Sequence, residues 1–156
     1  MKVKFRVNGV EREVDVEPYE LLADVLREKL GLKALKKGCW RGECGLCTIL
    51  MDGEPVKSCI ILAVEAEGSE IYTVEGFSDD GRPSPLQEAF IRNAGLQCGF
   101  CTPGFIVVGE YLARKPRITR GEVKAALSGT ICRCTGYKQI VDAVIEAHKA
   151  YSGENE

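Results

Sequence analysis

The residues with the most distinctive chemistry in this sequence are its cysteines, of which there are eight among 156 residues. Four of them fall in the first half of the chain: Cys39, Cys44, Cys47 and Cys59. The C-x4-C-x2-C spacing of the first three lets one loop wrap a [2Fe–2S] cluster while a separate element brings the fourth thiolate. The same stretch contains three glycines, which allow backbone N–H groups to point at a cluster: Gly38, Gly42 and Gly45. This stretch therefore predicts an iron–sulfur site.

The other four cysteines lie in two short segments of the second half: Cys98 with Cys101, and Cys132 with Cys134. Each segment is followed by residues with helical periodicity, so each is expected to place thiolates beside a helix N-terminus. Unpaired N–H groups and the positive end of the helix dipole favour negative charge at that position. We therefore predict a second [2Fe–2S] cluster here, with a stabilised reduced form.

The eight cysteines have two other interpretations, which are structural zinc sites and disulfide bonds. Four thiolates per site could hold structural zinc, which would make the chain an interaction module. The C-x4-C-x2-C spacing with glycines matches zinc ribbons poorly, and C-x-C opposite C-x2-C is unusual for zinc. Disulfides persist mainly in oxidising surroundings, and the N-terminal residues lack the apolar segment of a secretion signal. We expect a cytoplasmic protein with reduced cysteines.

The first half shows the pattern of a small sheet with one helix. Asn8-Gly9 is a type I′ turn signal between alternating apolar residues, and Gly31 stands where a helix C-cap glycine belongs. The predicted order is a hairpin at residues 3–16, a helix at 22–30, the first cysteine loop, a hairpin at 48–57 and a strand at 71–74. This order predicts a β-grasp arrangement like that of a plant-type ferredoxin.

Everything after the polar Gly/Pro/Asp run at residues 76–83 has a helical pattern. Ser84 to Gln87 forms a capping box with proline at the first helical position, and further helices are expected from Thr102, Thr119 and the residues before Ile140. The sequence thus predicts an α+β protein. Its predicted parts are a ferredoxin-like domain at 1–75, a linker at 76–83 and a four-helix bundle with the second cluster at 84–156.

Charge and hydropathy exclude several function classes. The net charge of −2 gives no indication of nucleic-acid binding, and no window is apolar for long enough to span a bilayer. The sequence contains no recognisable nucleophile–base pair and no glycine-rich dinucleotide motif, so no catalytic residue is predicted. The single histidine, His148, is interpreted as a residue near the end of the last helix.

With these motifs in place, the sequence resembles the iron–sulfur subunit of the xanthine oxidase family of molybdenum hydroxylases. The similarity covers essentially the whole chain, from about Val3 to Ala147. The first cysteine motif is shared with other ferredoxins. Two segments are specific to this family: Gln97 to Gly104, which reads QCGFCTPG, and Cys132 to Tyr137, which reads CRCTGY.

The resemblance implies a role in electron transfer within a hetero-oligomer. Substrate would be oxidised at a molybdenum–pterin centre in a large subunit, and electrons would pass through an inner and then an outer cluster, usually to FAD in a medium subunit. The implied inner ligands are Cys98, Cys101, Cys132 and Cys134, and the implied outer ligands are Cys39, Cys44, Cys47 and Cys59. Gln97 and Cys98 would face the pterin.

The sequence departs from the family pattern at three positions. Trp40 stands where an acidic residue is more common, Leu46 where a small residue is usual, and Ser84 where histidine often occurs. These changes leave all eight predicted ligands in place.

A free-standing two-cluster ferredoxin is the alternative function. A free ferredoxin would need only the first half of the chain, so this alternative leaves the helical half and its cysteines unexplained.

Overall fold

The structure, a computed structural model, describes residues 1–153, so the last three residues of the predicted helical segment lie outside the described part. A five-stranded sheet is followed by four α-helices, which confirms the predicted α+β class. The strands are β1 (Lys2–Val7), β2 (Val10–Asp15), β3 (Thr48–Met51), β4 (Glu54–Lys57) and β5 (Glu70–Tyr72). They lie in the order β2-β1-β5-β3-β4, in which only the β1–β5 pair is parallel.

Both hairpins turn where the sequence predicts. Asn8 and Gly9 have φ values of 50° and 79°, and Asp52 and Gly53 have values of 52° and 86°. Two successive left-handed residues are the requirement of a type I′ turn, which matches the twist of the flanking strands. The turns fix the register, so that alternate residues of β1 face a buried core while the residues between them remain exposed.

The predicted helix over residues 22–30 is present but is not a regular α-helix. It begins as α1 (Leu22–Asp24) and continues as a π-helical turn (Val25–Lys29). The Arg27 guanidinium donates hydrogen bonds to the carbonyls of Lys33 and Leu35, at 2.5 and 2.7 Å, and holds the wide turn against the following segment. Side-chain contacts with the segment that follows a helix can override local helix propensity in this way.

The last strand ends earlier than predicted. The N–H of Thr73 donates to Oδ1 of Asn8, and the Asn8 amide donates to the Thr73 hydroxyl, both at 2.9 Å. At Thr73 these side-chain hydrogen bonds take the place of backbone pairing between strands. The chain then continues as a 3-10 turn (Val74–Phe77). The prediction of strand through residue 74 was therefore wrong for its last two residues.

The helical half contains α2 (Pro85–Arg92), α3 (Thr102–Ala113), α4 (Arg120–Leu127) and α5 (Lys138–Ser152). Two of the N-terminal caps follow the predicted capping boxes, because the hydroxyls of Ser84 and Thr119 accept N–H groups three residues later. The helices share one apolar core, which is separate from the core beneath the sheet.

A fully buried carboxylate lies inside the helical core. Glu110 of α3 accepts hydrogen bonds from the Ser84 hydroxyl, the Arg114 guanidinium and the Tyr151 hydroxyl. A buried charge is tolerated only when it is paired and hydrogen-bonded in this way. The network ties the start of α2 and the end of α5 to α3, and thereby fixes the positions of the helices that flank the second cysteine set.

No helix in residues 1–153 has the length and apolar character needed to cross a membrane.

Candidate metal centres

The first cysteine loop folds around the sulfur of Cys39. The backbone N–H groups of Arg41, Glu43 and Cys44 all donate to this Sγ, at 3.4, 3.3 and 3.3 Å. Left-handed backbone at Trp40, with φ of 58°, bends the loop so that these groups converge. Hydrogen bonds to the thiolate lower the pKa of Cys39 to about 6, with that from Arg41 the largest contribution.

Two further thiols of this set lie deeper. Cys47 and Cys59 are buried against each other below the loop. Burial raises the pKa of the Cys47 thiol to about 12. Because metal ligation requires thiolates, iron binding at this buried pair would displace protons, and loading of the site would depend on pH.

The second cysteine set forms from two junctions that are distant in sequence. Cys98 and Cys134 lie with their Sγ atoms 3.6 Å apart on the surface, and Cys101 lies against the buried Cys132. Burial raises the pKa of Cys101 to about 12. Burial also acts to raise the pKa of Cys132, but donors from Thr135 outweigh it and lower that pKa.

The Thr135 contact was not anticipated from the sequence. Its hydroxyl lies 3.1 Å and its backbone N–H 3.4 Å from Sγ of Cys132. Tyr137 stabilises the same loop, since its hydroxyl oxygen accepts the N–H of Cys132 at 2.9 Å. The only sequence signal was the motif Cys-Thr-Gly-Tyr itself, which gives the residue types but not the direction of their hydrogen bonds.

Each cysteine set offers four free thiols as ligands. Structural zinc requires four ligands around one centre, whereas a [2Fe–2S] cluster spreads four thiolates over two irons. Across residues 1–153, no three His, Cys, Asp or Glu side chains converge on one ion position. The thiols instead lie in pairs: Cys39 with Cys44, Cys47 with Cys59, Cys98 with Cys134, and Cys101 with Cys132. Two pairs of thiols at each site are a donor set that fits a [2Fe–2S] cluster.

Gln97 lies at the rim of the second cysteine set. Its side-chain amide donates to the backbone carbonyl of Cys134 at 3.2 Å, and the side chain is exposed. The amide therefore does not cap α2, and it joins the two junctions that carry the cysteines. One amide N–H and the amide oxygen have no protein partner among the hydrogen bonds of residues 1–153.

The two cysteine sets meet where the halves of the chain touch. The carbonyl of Cys44 accepts the N–H of Ile131 at 2.9 Å, one residue before Cys132. The contact needs glycine, because a Cβ on Gly45 would lie 2.4 Å from the carbonyl oxygen of Gly129. A Cβ on Gly104 would in turn lie 2.5 Å from the carbonyl oxygen of Gly45. Backbone atoms of the two halves are thus in direct contact between the candidate sites.

Exposed apolar residues flank both sites. Trp40, which directly follows Cys39, is 42% exposed, and its ring lies 4.5 Å below the ammonium group of Lys37. Phe100 and Ile131, beside the second set, are also exposed. Trp40 is therefore not a core residue.

Comparison with known proteins covers both halves of the chain. Residues 5–72 match the family profile "2Fe-2S iron-sulfur cluster binding domain", and residues 73–145 match "[2Fe-2S] binding domain". The beta subunit of the 6-hydroxypseudooxynicotine dehydrogenase complex of Paenarthrobacter nicotinovorans is 49% identical over 94% of this chain and 92% of that protein. The chain belongs to the small iron–sulfur subunits of the xanthine oxidase family of molybdenum hydroxylases.

Other members of the family match over similar lengths. The xanthine dehydrogenase iron-sulfur-binding subunit of Escherichia coli O157:H7 is 42% identical, and 94% of each chain is covered. The crystal structure of quinoline 2-oxidoreductase from Pseudomonas putida 86 has a chain with 47% identity and a TM-score of 0.92, with 99% of this chain and 98% of that chain covered. The fold and the two cluster-binding domains of this chain are thus those of the family.

Proposed function

We propose that this chain relays electrons within a molybdenum hydroxylase complex. It would receive them from a molybdenum–pterin centre in a large subunit and pass them through two [2Fe–2S] clusters to FAD in a medium subunit or to another acceptor. Each cluster, when bound, takes up and returns one electron at a time. The chain itself contributes thiolates, hydrogen bonds and spacing, and the substrate would react in the partner subunit.

The observation that carries this proposal is the direct contact between the two cysteine sets. The hydrogen bond from Ile131 N–H to the Cys44 carbonyl joins the backbone of one proposed outer ligand to the residue before a proposed inner ligand, Cys132. Electron transfer between centres requires a short, packed separation, and the glycine contacts hold the halves at backbone distance. The contact favours a two-centre relay over a ferredoxin with one cluster, whereas co-purification with a molybdenum subunit separates the relay from a free-standing two-cluster ferredoxin.

The proposed direction of electron transfer follows from which cysteines of each set are exposed. Cys98 and Cys134 are exposed, and Gln97 beside them offers free hydrogen-bonding groups, so this rim suits the pterin of the large subunit. At the other end, Cys39 lies half exposed in the loop that carries Trp40, where an acceptor could approach. On this proposal Cys98, Cys101, Cys132 and Cys134 hold the inner cluster, and Cys39, Cys44, Cys47 and Cys59 the outer one.

The domain limits and the compartment form part of the same proposal. A ferredoxin-like domain at 1–75 and a helical domain from 84 would each have a cluster and an apolar core of their own, and residues 76–83 would link them. Eight thiols must stay reduced to accept iron, which suits the cytoplasm.

The test is isolation of the chain with its complex. We expect four irons and four acid-labile sulfides per chain, two distinct EPR signals after reduction, and co-purification with a molybdenum-containing subunit. Both clusters should become reduced when the substrate of the complex is added. Two irons per chain, or substrate reduction of neither cluster, would refute the relay.

A further inference from the structure

The hydroxyl of Thr135 reaches the sulfur of a proposed inner ligand. Its Oγ1 lies 3.1 Å from Sγ of Cys132, and the backbone N–H of the same residue lies 3.4 Å from that sulfur. The loop then turns through left-handed backbone at Gly136 and Tyr137, and the N–H of Tyr137 donates to the Thr135 hydroxyl oxygen at 3.3 Å. The hydroxyl therefore accepts from the backbone and has its one proton left for the sulfur.

The Cys132 sulfur depends on this donor because Cys132 is buried. Cys132 is 9% exposed, whereas Cys98 and Cys134 lie on the surface, where water is available to donate to their sulfur atoms. A hydrogen bond to a charged acceptor is also stronger where the surroundings are less polar than water. The electrostatic environment of Cys132 is therefore set mainly by the protein groups that point at it.

Reduction places further negative charge on a cluster and on the thiolates that hold it. A donor aimed at one of these sulfur atoms stabilises the reduced form more than the oxidised form, and hydrogen bonds to sulfur are among the factors that set the potential of a [2Fe–2S] cluster. The Thr135 hydroxyl is thus placed to favour uptake of an electron at the inner site. It keeps its own proton, so the change on reduction is the one electron that the cluster receives.

A threonine in the other inner segment lacks this contact. Thr102 follows Cys101 as Thr135 follows Cys134, so the two threonines occupy equivalent places in segments that read CTPG and CTGY. Thr102 begins α3, and among the hydrogen bonds of residues 1–153 its hydroxyl donates to no sulfur atom. The hydrogen bond to sulfur therefore comes from the fold of the second segment and not from the motif alone.

We propose that Thr135 is a positioning residue that raises the reduction potential of the inner cluster by donating a hydrogen bond to Cys132. This inference rests on the proposed function, in which the inner cluster receives one electron at a time from the molybdenum centre, and it names a residue that sets how favourable this step is. At the outer site the donors to Cys39 are backbone N–H groups, which a change of side chain does not remove. At the inner site the donor is a side chain, so a single substitution can test it.

The test compares side chains that keep or remove the hydroxyl. Thr135→Val removes it with little change in volume, Thr135→Ala removes it without added bulk, and Thr135→Ser keeps it. The midpoint potential of each cluster is measured on the full, cluster-loaded chain by dithionite titration followed by EPR. At a fixed potential, the ratio of reduced to oxidised inner cluster should fall about tenfold in Thr135→Val and Thr135→Ala, which is a shift of about 59 mV for a one-electron couple. Thr135→Ser should remain close to the wild type.

Two controls separate the hydrogen bond from a general change in the loop. Thr102→Val makes the same substitution at the equivalent place in the other segment and should leave both potentials unchanged. The potential of the outer cluster should be the same in every variant. Iron and acid-labile sulfide should stay at the wild-type content, which shows that a shifted potential does not come from partial loss of a cluster.

A spectroscopic readout detects the proton itself. After exchange into heavy water, pulsed EPR of the reduced inner cluster should show coupling to exchangeable deuterons. This coupling should be weaker in Thr135→Val and Thr135→Ala than in the wild type and Thr135→Ser. A role for Thr135 in the loop structure alone predicts equal coupling in all four proteins.

Three outcomes would overturn this role of Thr135. The first is an inner potential that does not shift in Thr135→Val and Thr135→Ala, and the second is an equal shift in Thr102→Val or Thr135→Ser. The third is loss of the inner cluster from both Thr135→Val and Thr135→Ala, which would make the residue necessary for holding the cluster and not for setting its potential.

Failure of this inference differs from failure of the proposed function. A wild-type chain with two irons and a single EPR signal would refute the relay itself. A wild-type chain with four irons and two signals, together with an unshifted inner potential in the variants, would refute the role of Thr135 alone.

Discussion

The two cysteine sets are built in opposite ways. The outer set is mostly local, because one loop supplies three thiols and folds its own N–H groups onto Cys39. The inner set needs two junctions that are more than thirty residues apart, and only helix packing brings Cys98 to within 3.6 Å of Cys134. The outer site should therefore tolerate disturbance of the helices, whereas the inner site should not.

The largest expected effect comes from the buried carboxylate of the helical core. Glu110→Ala leaves the buried Ser84 hydroxyl and the half-buried Tyr151 hydroxyl without their acceptor, at a cost of about 1–3 kcal/mol for the buried group. We expect loss of the inner cluster with retention of the outer one, measured by iron content, EPR and thermal unfolding.

Glu88→Ala is the control for this change. Glu88 is a half-exposed helical glutamate paired with Arg92, and its removal should cost less than about 1 kcal/mol. Equal loss of both clusters in Glu110→Ala would show that the outer site also depends on the helices.

The independence of the two cysteine sets can also be tested by changing a proposed ligand of the outer set. Cys44→Ser removes a proposed outer ligand within the local loop, so the outer cluster should be lost while the inner EPR signal stays. Iron should fall from four to two per chain. Loss of both clusters together would contradict the division into two domains at residues 76–83.

The contact between the halves can be opened with a single methyl group. Gly104→Ala would place a Cβ 2.5 Å from the carbonyl oxygen of Gly45. Relief of this overlap should cost about 1–3 kcal/mol and move the halves apart. Both clusters should remain, but electron transfer between them, followed by rapid freeze-quench EPR, should be slower.

Gly121→Ala is the matched control, because its Cβ has nothing nearer than a hydroxyl at 3.9 Å and alanine favours the helix. It should leave the transfer rate unchanged. A normal rate in Gly104→Ala as well would mean that the backbone contact does not set the separation of the clusters.

The smallest effect is expected at the rim of the inner site. Gln97→Ala removes one exposed hydrogen bond to the Cys134 carbonyl, worth about 1 kcal/mol, so the fold and both clusters should persist. Reduction of the inner cluster by molybdenum should slow in the assembled complex, as stopped-flow absorbance would show. An unaltered rate of cluster reduction with normal cofactor content would mean that Gln97 only stabilises the contact with the Cys134 carbonyl.

What the sequence could predict was local. Asn8-Gly9 required a type I′ turn, Ser84 and Thr119 required helix starts, and the C-x4-C-x2-C spacing indicated the first iron–sulfur site, because each depends on neighbours a few residues away. The π-helical turn at Val25–Lys29 was missed, since it depends on Arg27 reaching carbonyls beyond the helix.

The features that join distant segments could not be predicted in this way. The approach of Gly45 to Gly129 involves residues more than eighty positions apart, and the pairing of Glu110 with Ser84 and Tyr151 crosses three helices. Only the fold places these groups together. The sequence therefore identified the proposed ligands, while the contact between their two sites became visible only in three dimensions.

The exposed position of Trp40 makes the outer site visible to optical methods. It is the only tryptophan in the chain, it directly follows Cys39, and it is 42% exposed beneath the ammonium group of Lys37. Iron–sulfur chromophores absorb across the near-ultraviolet region in which indole emits, so a cluster at this loop would quench the tryptophan by energy transfer. Emission from a single indole group would therefore report the loading and loss of the outer cluster. Selective excitation of tryptophan would remove the contribution of the tyrosines.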